Sequence, residues 1–512
     1  MISSNKSIAK SAGIISVGTA LSRVLGFVRD IMFAAFFGTG VYAQAFVVAF
    51  RIPNLLRDLI GEGAANAAFV PVLTEELAKK SKKDFFQLAQ VIFNILFWAL
   101  IIMTAIGMVA SPLIVKLIAP GFSADQAKFD ITVQLTRIIF PFLVLVGLWA
   151  YAMGVLNTLG HFAAPAFGSC LLNISMIFCA MWFGENIFGL SAGVLAGGAL
   201  QLFIQLPPLY IHGWRPRLTA EFSHPQAKKV GKLLLPRAIG ACVYQVNVFI
   251  STILASLSNV VGDGAVAALY YANRVWQLPL AIFGIALAQA VLPTMSKQVA
   301  LKDHEKMKET LLFSLNVLFF MLIPSTVGLM VLGTPITKVL FERGLFTSYS
   351  TGITSNALIF YSFGLVACGG IKILVSAFYS MHDTVTPLKA AAWALVINLV
   401  LNIALMFPLK VGGLALATSV SATFNFIALY VALTRKIGDF GTRPIIDSFL
   451  KVGLASVLMG VVLKVFMLRL PQYTALNLCM LIIAGLLTFL AATYLLKVKE
   501  MKDFIEWISK RR

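Results

Sequence analysis

Apolar runs of close to the ~20 residues needed to cross a bilayer as a helix recur along the whole chain, separated by short polar connections. They begin near Ile14, Tyr42, Phe86, Ile131, Pro165, Phe188, Leu233, Gly264, Thr310, Gly352, Leu388, Gly413, Phe449 and Thr474. This pattern predicts an all-α polytopic membrane protein of about fourteen transmembrane helices, with no sizeable soluble domain. The second run is the most interrupted: Arg51, Pro53, Arg57, Asp58 and Glu62 all fall within or just after it.

Composition agrees with the pattern. Of 512 residues 59% are hydrophobic and only 12% charged, and mean hydropathy is +0.89, outside the range of soluble domains. A net charge of +20 would suggest nucleic acid in a soluble protein. Here the basic residues gather in alternate connections: Lys79 to Lys83, Arg215 to Lys232, Lys297 to Lys308, Arg435 to Lys451 and Lys497 to Arg512, on the side of Lys6 and Lys10. The positive-inside rule then places both termini in the cytoplasm. The charge reads as topology and contact with anionic lipid rather than as nucleic-acid binding. The first run is too long and too charged for a cleaved signal peptide. The five cysteines sit inside apolar runs with no metal spacing.

The chain is read as a duplication. Arg51, two residues before Pro53, aligns with Arg274, five residues before Pro279, at an offset of 223, and Pro71 aligns with Pro293 and Pro165 with Pro387 at 222. Two six-helix lobes follow, 1–220 and 221–440, in the same membrane orientation, leaving 441–512 as two extra helices and a basic tail. Internally repeated bundles are a usual frame for alternating-access transporters.

The chemistry lies in buried cations. Arg23 and Arg29 fall in the middle of the first run, with Asp30 beside the second. A charge at the bilayer centre costs about 2.5–3.5 kcal/mol even on insertion scales, so these side chains must face protein or water. Asp30, seven residues from Arg23 and adjacent to Arg29, can partner one of them. Arg51 and Asp58 repeat the seven-residue relation, Arg57 follows, and Pro53 bends the helix. Shifting by 222 pairs Arg23 with Gln245 and Arg29 with Ser251, so the basicity is concentrated in the first lobe, and Arg274 is the notable cation of the second. Such arginines suit an anion: the planar fork makes bidentate bonds to diphosphate or carboxylate. Arg137, Arg237 and Lys372 read as interfacial anchors. No Walker loop, clustered carboxylates or His/Cys set appears, so neither an enzyme nor a cofactor is expected.

Particular motifs carry a family resemblance: SRVLGFVRD (22–30), AFVVAFRIPNLLRDLIGEGA (45–64), FVPVL (69–73), LLNISM (171–176), QLFIQLP (201–207) and YYANRVWQLPLAIFGIALAQAVLP (270–293). Together they resemble the MurJ (MviN) family of the MOP exporter superfamily. The resemblance implies a flippase in the bacterial inner membrane. It would carry lipid II, the undecaprenyl-diphosphate-linked peptidoglycan precursor, to the outer leaflet, with membrane lipids and cell-wall synthesis proteins as partners. It assigns the headgroup to Arg23, Arg29, Asp30, Arg57 and Arg274, gating to Glu62, and the prenyl tail to the last two helices. Arg51 joins the binding set by position, and Asp58 and Pro53 the gating segment. Some relatives bind sodium through carboxylates; the corresponding stretches here offer Ser251, Asn398, Asn402, Thr418 and Thr423 and no carboxylate, so no metal is expected. Alternatives are an exporter of another polyprenyl-linked oligosaccharide and a non-transporting cell-wall scaffold; the doubly cationic first helix argues against a cationic drug.

Overall fold

The computed structural model describes residues 2–57, 69–219, 222, 224–470, 473–502 and 506, with side chains from residue 13 onward except 56–57 and 233–244. Among these residues every regular element is helical. Contacts divide the chain into two compact units, Met1–Leu257 and Ser258–Arg512.

The first unit contains α1 (Ile2–Phe37), α2 (Val41–Arg57), α3 (Val70–Lys79), α4 (Lys82–Val109), α5 (Ser111–Ile118), α6 (Gln126–Ile139), α7 (Phe142–Thr158), α8 (Ala163–Phe183), α9 (Ile187–Phe203), α10 (Leu206–Ile211) and α11 (Pro225–Ala255). Helix α8 packs between α1 and α9, α7 between α4 and α9, and α2 against α6 and α7. Helix α11 contacts α3, α4 and α5. Its end is fixed where Gly121 N–H donates to Ser256 Oγ at 3.1 Å; a Cβ on Gly121 would lie 2.1 Å from the Ser256 carbonyl oxygen, so only glycine fits.

The second unit contains α12 (Ser258–Val261), α13 (Ala265–Pro279), α14 (Ala286–Ala300), α15 (His304–Phe341), α16 (Ser348–Ser362), α17 (Leu365–Ser380), α18 (Val385–Leu409), α19 (Val411–Ile437), α20 (Thr442–Leu468) and α21 (Ala475–Leu495). Helix α19 packs against α16, α17 and α18, α13 against α16, and α15 against α16 and α17. Helix α20 lies on α15 and α21 on α20. Between α13 and α14 the rod continues through a π-helical turn, Leu280–Ile285, directly after Pro279, where the missing proline N–H loosens the ladder.

Local signals set these boundaries, and they recur. Ser81 and Asp84 form a reciprocal capping box at the start of α4, and Asp303 caps α15, 222 positions later. Asp125 caps α6 and Thr347 caps α16, at the same spacing. Gly160 and His382 both adopt positive φ, 79° and 59°. Each is followed by a residue whose N–H reaches back five positions, His161 to Leu156 at 2.9 Å and Asp383 to Phe378 at 3.0 Å. That is the six-to-one bond that closes a helix C-terminus.

Among the described residues ten helical rods are long and apolar enough to cross a membrane, and the pair α16–α17, bent by 45°, makes an eleventh. The other three of the fourteen expected runs fall on α1, α2 and α11. These carry the arginines, prolines and interruptions already noted in the sequence. Fourteen is therefore an approximate figure, but the fold is an all-α polytopic membrane protein.

Candidate functional site

Helices α1 and α8 run in the same direction along a seam built from small residues. A Cβ on Gly18 would lie 2.9 Å from Ala166 Cβ, so glycine there lets the helices close together. The Cys170 thiol donates to the Gly18 carbonyl at 3.6 Å. One turn on, Asn173 Nδ2 donates to the Ser22 carbonyl at 3.0 Å. The contact positions are 18, 22, 26 and 29 on α1 and 166, 170, 173 and 176 on α8, the three-and-four spacing of facing helix stripes.

This seam ends at Arg29, which is 9% exposed. Its Nε and Nη2 both donate to Asp30 Oδ1, at 3.1 and 2.7 Å. Nη1 donates to Asn173 Oδ1 at 3.0 Å, with Met176 Sδ at 3.9 Å. Asp30 is 2% exposed. The carboxylate thus holds its immediate neighbour, not Arg23 on the stripe seven residues back. The fork of Arg29 reaches around the helix to meet it, and Asn173 fixes the fork from the other side. Asn173 had no assigned role from sequence; an isolated amide in the apolar run 165–183 was the signal that could have found it.

Arg23, by contrast, is exposed, and among the described residues it makes no hydrogen bond or ion pair. Arg51 is half-buried on α2, and Pro53 is buried within the same helix, which continues through it. The Arg57 side chain, Asp58 and Glu62 lie outside the described residues. In the second unit Arg274 is half-buried on α13; its Nη2 donates to the Tyr270 hydroxyl at 3.2 Å and its guanidinium lies 4.9 Å from that ring centre, a cation–π contact that holds its direction. Arg137 and Lys372 are exposed.

The sodium candidates resolve into a helix clasp. Asn398 and Asn402, fully buried on α18, are linked by an Asn402 Nδ2 to Asn398 Oδ1 bond of 2.7 Å. Asn398 Nδ2 donates to Ser421 Oγ on α19 at 3.2 Å, and Ser421 Oγ donates to the Thr418 carbonyl at 3.0 Å. The Thr418 hydroxyl is turned back onto Leu414 O at 3.1 Å. Ser251 is half-buried on α11, in the first unit. No group of three or more His, Cys, Asp or Glu able to hold a metal occurs among the described residues.

Comparison with known proteins gives one answer. A family model described as "Lipid II flippase MurJ" matches residues 33–484. The chain is 35% identical over 434 residues to the lipid II flippase MurJ of Burkholderia cenocepacia, covering 83% of each. It is 32% identical over 510 residues to a probable lipid II flippase MurJ of Rickettsia prowazekii, covering 96% of this chain and 98% of that protein. Among solved structures it is similar to a lipid II flippase MurJ in an inward closed conformation, with a TM-score of 0.81 and 27% identity, covering 96% and 99% of the two chains. It also shares the fold of an inward-facing multidrug resistance MATE transporter of the MOP superfamily, with a TM-score of 0.68 and 14% identity over 82% of this chain and 96% of that one. Many apolar helices and a match over nearly the whole length of such proteins make this a multi-pass membrane protein, and the chain belongs to the lipid II flippase MurJ family.

Proposed function

We propose that this protein moves lipid II from the cytoplasmic to the outer leaflet of the inner membrane, as a transporter and not an enzyme, by alternating access. Both termini lie in the cytoplasm on this reading, from the alternation of Lys- and Arg-rich connections. The division into repeats 1–220 and 221–440 plus the extra pair 441–512 is supported by the helix caps and the positive-φ closures that recur at a spacing of 222.

The observation that carries the proposal is Arg23. It sits in the apolar part of a membrane-length helix, exposed, while Arg29 less than two turns away is held by Asp30 and Asn173. A cation so placed cannot face hydrocarbon without a cost of several kcal/mol. It is accommodated by facing an aqueous path through which an anion passes, and a diphosphate fits the arginine fork. Arg51, Arg57 and Arg274 are proposed as further contacts to the headgroup, with Pro53, Asp58 and Glu62 as the gating segment. The membrane potential, worth about 2.3 kcal/mol per charge per 100 mV, would draw the empty cationic site back toward the negative side.

The test is replacement of a cell's own flippase by this chain, reading growth and the outer-face accessibility of lipid II. Wild type restores both, collapse of the potential slows lipid II exposure, and Arg23→Ala or Arg274→Ala restores neither while present in the membrane at wild-type amount. Full restoration by Arg23→Ala at that amount excludes the cationic site and favours a scaffold. Growth without any change in lipid II exposure points to another polyprenyl-linked oligosaccharide.

A further inference from the structure

At one end of the first unit two histidines from different elements meet. His161 lies in the turn between α7 and α8, and His212 directly follows α10; their ring centres are 6.0 Å apart with planes at 64°. The His212 Nδ1 atom lies 2.7 Å from the Pro208 carbonyl oxygen. An imidazole nitrogen facing a carbonyl carries a proton, and in the neutral ring this leaves the Nε2 lone pair free to coordinate. A backbone carbonyl orienting the far nitrogen in this way is the usual support of a metal-binding histidine. His161 makes no side-chain hydrogen bond among the described residues.

The second unit shows what this corner needs. Asp383, 222 positions after His161, occupies the corresponding turn between α17 and α18. Its Oδ2 accepts from Lys436 Nζ at 2.5 Å, near the end of α19, tying the turn to a neighbouring helix end. His212 stands 224 positions before Lys436. In the first unit the same corner therefore holds two imidazoles in place of an anion and a cation. No direct tie forms between them, but each offers a lone pair to a shared cation.

We propose that His161 and His212 form a two-histidine site for a divalent transition-metal ion of the zinc, nickel or cobalt class, which staples the α7–α8 turn to the end of α10. Metal–nitrogen bonds of about 2.0–2.1 Å place two bridged imidazole centres roughly 4.5–5.5 Å apart for bond angles of about 90–120°, so the rings close by about half an ångström or more from their 6.0 Å spacing when the ion binds. A cavity of about 380 Å³ opens beside His161, walled otherwise by apolar residues such as Ala163, Phe167 and Pro207. It leaves room for water to complete the coordination and supplies no competing protein ligand. The site uses none of the arginines assigned to the cargo.

The test is calorimetric titration of Zn²⁺ and Co²⁺ into the full-length protein in detergent, carrying no polyhistidine tag, with thermal unfolding measured alongside. One ion per chain is expected, with a rise in Tm on saturation. His161→Asn and His212→Asn should each weaken binding by about tenfold or more. The double variant His161→Asp/His212→Lys, which copies the ion pair of the other unit, should bind no ion at this site and keep its metal-free Tm at or above wild type, separating loss of the site from loss of fold. Wild-type affinity in the double variant, or no binding by wild type above that of the double variant, overturns the proposal.

Discussion

Arg29 on α1 and Asn173 on α8 are joined by a 3.0 Å hydrogen bond across 144 residues of sequence, and Asn173 returns two further bonds to Ser22 on the opening helix. One amide thus sets both the seam between the helices and the direction of a buried cation.

Asp30→Asn should be the most destabilising change at this seam. It removes the carboxylate that accepts two hydrogen bonds from the buried Arg29, a loss of about 3–5 kcal/mol, visible as a lower Tm of the purified protein. Replacing both charges, Arg29→Met with Asp30→Leu, should recover much of that stability. If Arg29 also serves the anion, this stable double variant still fails to support growth; growth would assign Arg29 to structure alone.

Arg23→Ala should behave in the opposite way. The side chain is exposed and unpaired among the described residues, so its removal should change stability by no more than about 0.5 kcal/mol while abolishing lipid II exposure. A large fall in Tm would show that Arg23 is a packing residue.

Gly18→Val should force α1 away from α8, because even a Cβ meets Ala166 backbone and side-chain atoms at 2.9 Å. Overpacking of this kind costs about 1–3 kcal/mol. Activity should fall with stability, and the shortened companion Ala166→Gly should restore part of both.

Two ion pairs outside the membrane predict an acid response. Lys229 and Lys79 hold the Glu75 carboxyl down to about 2, and Lys436 with the Thr386 backbone N–H does the same for Asp383. A depressed carboxyl stabilises the fold fully above its unfolded value, near 4, and loses that contribution as pH falls toward 2. The Tm difference between wild type and Asp383→Asn should be constant from pH 8 to about 5 and close below that. Salt should shrink it, because the lysines are largely solvated.

The α18–α19 clasp predicts indifference to sodium. Asn402 donates to Asn398 and Asn398 donates to Ser421, and no carboxylate joins these bonds among the described residues. Exchanging sodium for potassium at constant potential should leave lipid II exposure unchanged. Asn398→Ala should lower Tm, since it strands the partners of a buried amide at about 1–3 kcal/mol.

Much of this was legible in the chain. Long apolar runs, and charge confined to alternate connections, are local properties, so they gave membrane class and helix positions. The caps Ser81, Asp125, Asp303 and Thr347 act within four residues and are equally local. The arginines of the first helix stood out because charge is rare in such runs. Less legible were the breaks: α6 and α7, read as one run, are separate helices at Phe140–Pro141, and α16–α17 bends by 45°. The sequence offset also places a boundary near 220, whereas contacts divide the chain after Leu257, because α11 packs on α3, α4 and α5.

The amino-acid order by itself determined that the chain is a helical membrane protein with cations in its opening helix, since hydrophobic transfer and helix capping depend on residues a few positions apart. Only the tertiary structure decided that Asp30 takes Arg29 and leaves Arg23 exposed, that Asn173 completes the grip, that the two asparagines of α18 face Ser421, and that His161 meets His212. Those outcomes depend on which helix faces pack together. Packing is fixed by close approach of small residues far apart in the chain, such as Gly18 and Ala166, which no local pattern encodes.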